Sequence, residues 1–223
     1  MITYETVKKD AEVNTLIQKA DELLTAIGYT EHCFAHVEKV AVTAYRIMKD
    51  LGFSERDSEN ARIAGYLHDI GNVVNRYDHA QSGALLAYPI LKRLGADAAD
   101  TADIVTAIGN HDEHTGVPVN PVAAALIIAD KSDVRAARVR NVENISGAPA
   151  FDIHDRVNYA VQTSRVTVDK QKRIIELDIT IDINECPVMD YFEIYVGRMT
   201  LCRKAAAVLG ANFSLVINGS KLV

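Results

Sequence analysis

The stretch YLHDIGN, residues 66–72, decides how the rest of the chain is interpreted. It closes an apolar pattern of helical spacing and contains the stop signal Gly71, so it lies at the end of a predicted helix. There it places an imidazole, His68, directly beside a carboxylate, Asp69. The pair prompts a search for further side chains of these two types on neighbouring helices.

Helical periodicity extends in both directions from this stretch and dominates the first 140 residues. Most of the predicted helices end at glycine or begin at a capping residue, and the sixth opens with Asn120 followed by Pro121. The earlier five are expected over 3–27, about 30–51, 54–71, 78–94 and 98–111. This half of the chain is therefore predicted to be an all-α bundle.

The pattern changes after the predicted loop NISGAPAFD, residues 144–152. Alternating and β-branched residues predict strands over 159–168 and 173–183. A helix over 188–209 and a short strand over 213–217 follow. The fold class is thus mainly α, a helical bundle with a small C-terminal α+β appendage.

Four further candidate ligands lie on different predicted helices. His36 lies inside the second, His79 near the start of the fourth and His111 at the end of the fifth, whereas Asp130 lies deep in the apolar sixth. A carboxylate in an apolar helix is costly to bury unless it is paired or binds a metal. Imidazoles and carboxylates that converge in a bundle core suit Fe, Mn, Zn or Ni and can form a dinuclear centre.

The order His36, His68-Asp69, Asp130 resembles the HD superfamily of metal-dependent phosphohydrolases. With His79 and His111 it is similar to the extended pattern of members that hold two metals, such as the HD-GYP phosphodiesterases and the symmetrical diadenosine-tetraphosphate hydrolases. The resemblance spans residues 30–135. It implies an N-terminal helix over 1–29 that packs on the bundle, an HD phosphohydrolase domain over 30–146 and a β-β-α-β appendage over 150–223.

The resemblance also implies a reaction. One divalent ion would be held by His36, His68, Asp69 and Asp130, and a second by His79 and His111 with Asp69 bridging. Fe or Mn is favoured, with Zn, Ni or Mg as alternatives. A metal-bound hydroxide would attack the phosphorus of a nucleotide or another small phosphoester while Asp69 positions it. His32 or His114 would protonate the leaving oxygen.

Departures from the family pattern narrow the substrate class. Many members carry lysine where this chain has Asn72, the segment 109–121 lacks the GYP tripeptide, and Asp69 is not followed by the HDxxED continuation. Cyclic-di-GMP is therefore disfavoured as a substrate. We expect phosphate contacts from Arg135 or Arg138 in the run 135–140, since guanidinium binds phosphate bidentately, although such a run is otherwise a solvated helix end.

Residues near the ligands leave other assignments open. His114 competes with His111 as a metal ligand, and His32 otherwise caps or packs its helix. Metal-bound imidazoles need a partner for their second nitrogen, and Asp112, Glu113 and Asp133 are candidates.

Composition bounds the partners. The chain has 223 residues and a net charge of −6, which argues against non-specific binding to nucleic acid or an anionic membrane. The longest apolar runs fall short of the ~20 residues of a membrane span, and no secretory pattern opens the chain, so a cytoplasmic protein is expected. The expected partner is a small phosphorylated substrate, and the appendage is a candidate surface for a homodimer.

Two other functions share the same ligands. One is a di-iron HD-fold oxygenase, which iron dependence together with O₂ uptake would identify. The other is a nucleotide-binding regulator whose metal site is silent. The complete ligand set favours the phosphohydrolase over the regulator.

Overall fold

A computed structural model of the chain describes residues 2–140 and 153–222. Helices form the first part: α1 (Tyr4–Lys8), α2 (Ala11–Ala26), α3 (Phe34–Leu51), α4 (Glu55–Leu67), α5 (His79–Arg93), α6 (Ala98–Gly109) and α7 (Pro121–Lys131). The second part contains α8 (Ile153–Ala160), β1 (Val161–Asp169), β2 (Ile174–Ile181), α9 (Val188–Val208), β3 (Asn212–Ile217) and β4 (Ser220–Lys221). The predicted fold class, a helical bundle followed by a small α+β unit, is confirmed.

The N-terminal segment differs from its prediction. The single helix expected over 3–27 is two helices, α1 and α2, separated at Asp10. The Asp10 carboxylate accepts a hydrogen bond from Val13 N at 3.1 Å and so caps α2 instead of continuing α1. Arg93 of α5 donates to the same carboxylate at 2.8 and 2.9 Å, which fastens the break to the bundle.

Helix α7 forms the centre of the bundle. Its residues from Val122 to Ala129 are all buried, and α3, α4, α6 and α9 pack around it. Such a helix, apolar on every side, belongs in a core. Asn120 caps it by accepting from Ala123 N at 2.7 Å. Asp130 lies in its last turn, where the other helices converge.

Two glycines allow the backbone around His68 and Asp69 to pack closely. A Cβ on Gly65 would lie 2.8 Å from Ala41 Cα, so glycine lets α4 approach α3. A Cβ on Gly71 would lie 2.0 Å from the His79 carbonyl oxygen. Glycine is therefore required where the short 3₁₀ turn Ile70–Val73 passes the start of α5.

The C-terminal sheet has the order β1-β2-β3-β4. The β1–β2 and β3–β4 pairs are antiparallel, and β2 pairs with β3 in parallel through the crossover helix α9. Helix α9 packs against both β3 and α7, and one continuous hydrophobic core joins the bundle to the sheet. The predicted loop 144–152 and the domain limits at 146 and 150 lie outside the described residues, so they stay predictions. None of the described helices has the length and apolar character needed to cross a membrane.

Candidate metal centre

The first ligand cluster joins three elements. His36 lies near the start of α3, His68 and Asp69 directly follow α4, and Asp130 lies in the last turn of α7. The His36 and His68 Nε2 atoms are 3.3 Å apart. His36 Nε2 lies 3.4 Å from Asp130 Oδ1, and His68 Nε2 lies 3.2 Å from Asp69 Oδ2. His36, His68 and Asp130 form one group of nitrogen and oxygen atoms with the spacing of a metal site, and His68 and Asp69 form a second group with His111.

The second cluster lies on the other side of Asp69. His79 opens α5 and His111 follows α6, and their Nε2 atoms are 3.2 Å apart. Asp69 Oδ1 lies 3.5 Å from His79 Nε2 and 3.9 Å from His111 Nε2. The two carboxylate oxygens of Asp69 thus face different histidine pairs. A carboxylate in this position can bridge two cations.

The protonation pattern of the four imidazoles tests whether cations fit. Each ring donates its Nδ1 proton to an acceptor: Gly65 O for His68 (2.8 Å), Ile108 O for His111 (2.7 Å), Arg76 O for His79 (3.1 Å) and Asp133 Oδ2 for His36 (2.8 Å). A neutral ring with this proton carries a lone pair on Nε2. Two such lone pairs face each other in each cluster, with no hydrogen atom between them. The four side chains therefore fit divalent cations.

Without a bound cation, a proton on one Nε2 atom of a pair would remove the repulsion between its two lone pairs. Although burial opposes the charged form, Asp69 and Asp130 hold the pKa of His68 above its usual range. Burial likewise opposes ionisation of the two carboxyls, yet the interaction with His68 keeps the pKa of Asp69 well below the usual value, and Lys131 together with the hydrogen bond to His36 does the same for the pKa of Asp130. The centre therefore supplies two buried negative charges beside four imidazole rings.

The part of the sequence that contains these side chains matches a known domain family. A family model for the HD domain matches residues 33–137, a range that includes all six candidate ligands. Residues 33–137 of the chain match an HD domain. A crystal structure of a predicted HD superfamily hydrolase from an uncultured Thermotogales bacterium is similar to it at 26% identity, over 56% of this chain and 68% of that chain, with a TM-score of 0.44. No curated protein matches the chain. HD domains bind divalent metals, and the clusters described above can hold them.

Asp133 supports the first cluster of the HD domain. Its fully buried carboxylate accepts from His36 Nδ1, from Lys39 Nζ at 2.8 Å and from Arg135 Nε at 2.9 Å. Burial opposes ionisation, but the hydrogen bond from His36 and the surrounding cations hold the pKa of Asp133 far below its usual value. The charged carboxylate orients the His36 ring and makes Nε2 a stronger ligand. Asp133 was one of three candidates for this role, and the other three rings use backbone carbonyls instead.

Position 72 also acts on the centre. Many HD proteins carry lysine there, and here Asn72 is buried with its Nδ2 atom donating to Asp69 Oδ1 and to the Asp69 carbonyl oxygen, both at 3.0 Å. The amide therefore orients the carboxylate that lies between the two clusters.

A cavity of about 570 Å³ opens onto the HD centre. The ligands Asp69, His79, His111 and Asp130 line it. Its cationic lining side chains are Arg76, Lys131, Arg138 and Arg198. Of the two arginines predicted to bind phosphate, Arg138 is present but donates to the carbonyl oxygens of Glu31 and Asp133. Arg135 is not among the described residues that line the cavity, and it pairs with Asp133 and Glu31.

Sequence reasoning missed three of these cations. Lys131 directly follows Asp130, and its Nζ lies 2.7 Å from Asp130 Oδ2. Arg76 lies seven residues after Asp69, with Nη1 3.4 Å from His79 Nε2. Their short sequence distance from a ligand is the signal that could have identified both as cavity residues. Arg198 lies far along the chain in α9, and no local pattern connects it with the HD domain.

The two candidate proton donors lie in different surroundings. His32 is buried at the cavity wall and donates its Nδ1 proton to Thr30 O at 2.6 Å. Burial, reinforced by Arg138, holds the pKa of His32 well below its usual value, so its Nε2 is an acceptor near neutral pH. His114 lies at the cavity mouth with 83% of its side chain exposed. His111, not His114, forms the pair with His79.

Proposed function

We propose that this HD protein is a metal-dependent phosphohydrolase that cleaves a phosphoester of a nucleotide or a similar small molecule. The observation that carries the proposal is Asp69, whose two oxygens face two pairs of imidazole lone pairs at the floor of a cavity. Two divalent cations bound there would supply a water molecule of lowered pKa as nucleophile and positive charge for the phosphoryl oxygens. The ligands would be His36, His68, Asp69 and Asp130 for one ion, and Asp69, His79 and His111 for the other.

The donor set favours certain metals. Four imidazole nitrogens suit Fe, Mn, Zn or Ni, whereas Mg prefers oxygen ligands and retained waters. We therefore propose Fe or Mn as the physiological metal, with Zn or Ni as alternatives.

Charge in the cavity supports an anionic substrate. Among the described residues, six carboxylates and four cationic side chains line the cavity. The formal net charge of this lining is −2. The carboxylates belong to Asp69, Asp78, Asp112, Glu113, Asp130 and Asp155. Two divalent cations would change this balance to +2, which a dianionic phosphate group would neutralise. Guanidinium and ammonium groups at the wall can donate to its oxygens.

A proton is needed on the leaving oxygen. His114 lies at the solvent-exposed mouth, where it can regain a proton from water after each turnover. His32 is already an acceptor at Nε2, and we propose that it binds a hydroxyl group of the substrate. His114 is thus the proposed general acid.

Phosphate release tests the proposal. The chain would be loaded with Mn²⁺ or Fe²⁺ and given nucleotides, dinucleoside polyphosphates and sugar phosphates, with Asp69→Asn as the blank. Asp50→Asn, an exposed carboxylate at the end of α3, is the matched control. We expect turnover that is lost in the first variant and kept in the second.

Two results would contradict the phosphohydrolase proposal. Bound metal without phosphate release but with iron-dependent O₂ uptake would favour the oxygenase. Bound metal with neither activity would favour the silent regulator.

A further inference from the structure

One wall of the cavity comes from outside the matched HD range. Arg198 lies in the middle of α9, about sixty residues beyond position 137, yet it lines the same cavity as Asp69 and His79. It arrives there because α9 packs against α7, the helix that carries Asp130. The C-terminal unit therefore reaches the candidate metal centre.

The Arg198 guanidinium is held on two sides. Nε and Nη2 donate to the two carboxylate oxygens of Glu113, the second at 3.3 Å. The guanidinium carbon lies 4.5 Å from the ring centroid of Tyr195, which is fully buried. Only 21% of the Arg198 side chain and 19% of the Glu113 side chain are exposed. A planar cation fixed by a carboxylate and an aromatic face loses little freedom when it binds a ligand.

Glu113 contacts only one edge of this guanidinium. Within the described part of the chain, the Nη1 atom of Arg198 has no hydrogen-bond partner, since Glu113 takes only Nε and Nη2. A buried ion pair that merely joined two segments would not need to border a cavity. Here the residue with spare N–H groups lines the cavity that contains Asp69 and the histidine ligands. Donors in this position suit an oxyanion.

We propose that Arg198 binds a phosphate group of the substrate and that Glu113 positions it. The proposal rests on the phosphohydrolase assignment and gives the C-terminal unit a role, since α9 completes the anion site. Glu113 belongs to the loop that follows His111, so the ion pair also ties this loop to α9.

Inorganic phosphate is the probe. Its Kd for the metal-loaded full chain would be measured by isothermal titration calorimetry in wild type, Arg198→Gln and Arg198→Lys. Arg203→Gln is the matched control, because Arg203 is exposed on the same helix. We expect the glutamine variant to weaken phosphate binding about 10- to 100-fold, as the loss of a charge-assisted hydrogen bond predicts. The lysine variant should fall between, and Arg203→Gln should match wild type.

Removal of Arg198 alone leaves the Glu113 carboxylate without its arginine partner. The double variant Glu113→Gln/Arg198→Gln relieves this charge and keeps the test valid if the single variant unfolds. Metal content is measured in parallel, so that a lost metal ion is distinguished from a lost phosphate contact.

Equal phosphate Kd values for wild type, Arg198→Gln and the double variant at full metal content would overturn the inference. The inference and the function can fail separately. Weaker phosphate binding without hydrolysis of any phosphoester would support the Arg198 site and contradict the phosphohydrolase. Hydrolysis with an unchanged KM in Arg198→Gln would do the reverse.

Discussion

The substitution Gly71→Ala should displace the His79–His111 pair without replacing any ligand side chain. A Cβ at this position would lie 2.0 Å from the carbonyl oxygen of His79 and 2.4 Å from Gly83 N. Ordinary contact begins near 3.4 Å, so the start of α5 must move by about 1.4 Å, the difference between the two distances. Both obstructing atoms belong to backbone, which cannot rotate away. Because His79 opens that helix, its imidazole moves with it.

The expected cost follows from overpacking in a rigid region. An extra carbon in a well-packed region lowers the free energy of unfolding by about 1–3 kcal/mol. For a chain of this size each kcal/mol lowers Tm by about 2–4 °C, so a decrease of about 2–12 °C is expected. The His79–His111 pair, now 3.2 Å apart, would open, and the chain would retain fewer metal ions.

Gly109→Ala is the matched control. Its Cβ would meet only Ala84 Cβ, at 3.6 Å, which is ordinary contact. Alanine also favours helix over glycine, so Tm should stay the same or rise. The assay is calorimetric Tm together with metal content by mass spectrometry. If Gly71→Ala keeps the Tm and the metal content of wild type, the close packing of the His68-Asp69 turn on α5 does not position His79.

Three further predictions concern single side chains. Asp133→Asn should weaken metal binding by about 10- to 100-fold in a chelator competition, because the His36 ring loses its charged partner; unchanged affinity would contradict this. Hydrogen bonds from Arg93 lower the pKa of Asp10, so the pair stabilises the fold above the usual carboxyl value of 3.8 and less as pH falls through the lowered value; the Tm deficit of Arg93→Gln at pH 7 should shrink below that pH, and a constant deficit would refute the pair. His114→Gln should slow hydrolysis of a poor leaving group by about 10²-fold or more but barely affect p-nitrophenyl phosphate, and equal effects on both would exclude a proton donor.

The helical bundle could be predicted because its helices carry strong local signals. Apolar spacing, glycine stops and the Asn120-Pro121 start all act within a few residues. The break at Asp10 was not predicted because an aspartate can lie inside a helix or cap one. Here its carboxylate caps α2 and also binds Arg93, a contact far along the chain that local sequence does not show. Strands β1, β2 and β3 and helix α9 were predicted for the same local reasons, whereas helix α8 and strand β4 were not predicted.

The candidate site could be predicted only in part. The ligand residues follow one another in a recognisable order, so their convergence could be expected before any geometry was known. Their supporting contacts could not, since the carbonyls of Gly65, Ile108 and Arg76 carry no side-chain signal. The contribution of Arg198 also depends on tertiary packing, because α9 reaches the cavity only by lying against α7.

The phosphate contacts were predicted from the nearest arginine run. Arg135 instead completes the charge network around buried Asp133, where it stabilises the support of His36. Arg198, whose carboxylate partner leaves one edge free, retains donors for a ligand.

Anomalous diffraction from crystals of the Mn²⁺-loaded chain would show directly whether two metal ions bind on either side of Asp69. We expect two peaks, one beside His36 and His68 and the other beside His79 and His111, with Asp69 between them. Crystals of Asp69→Asn grown in the same way should lose at least one peak. Mn²⁺ peaks located only away from these histidines, or none at saturating Mn²⁺, would contradict the two-metal centre.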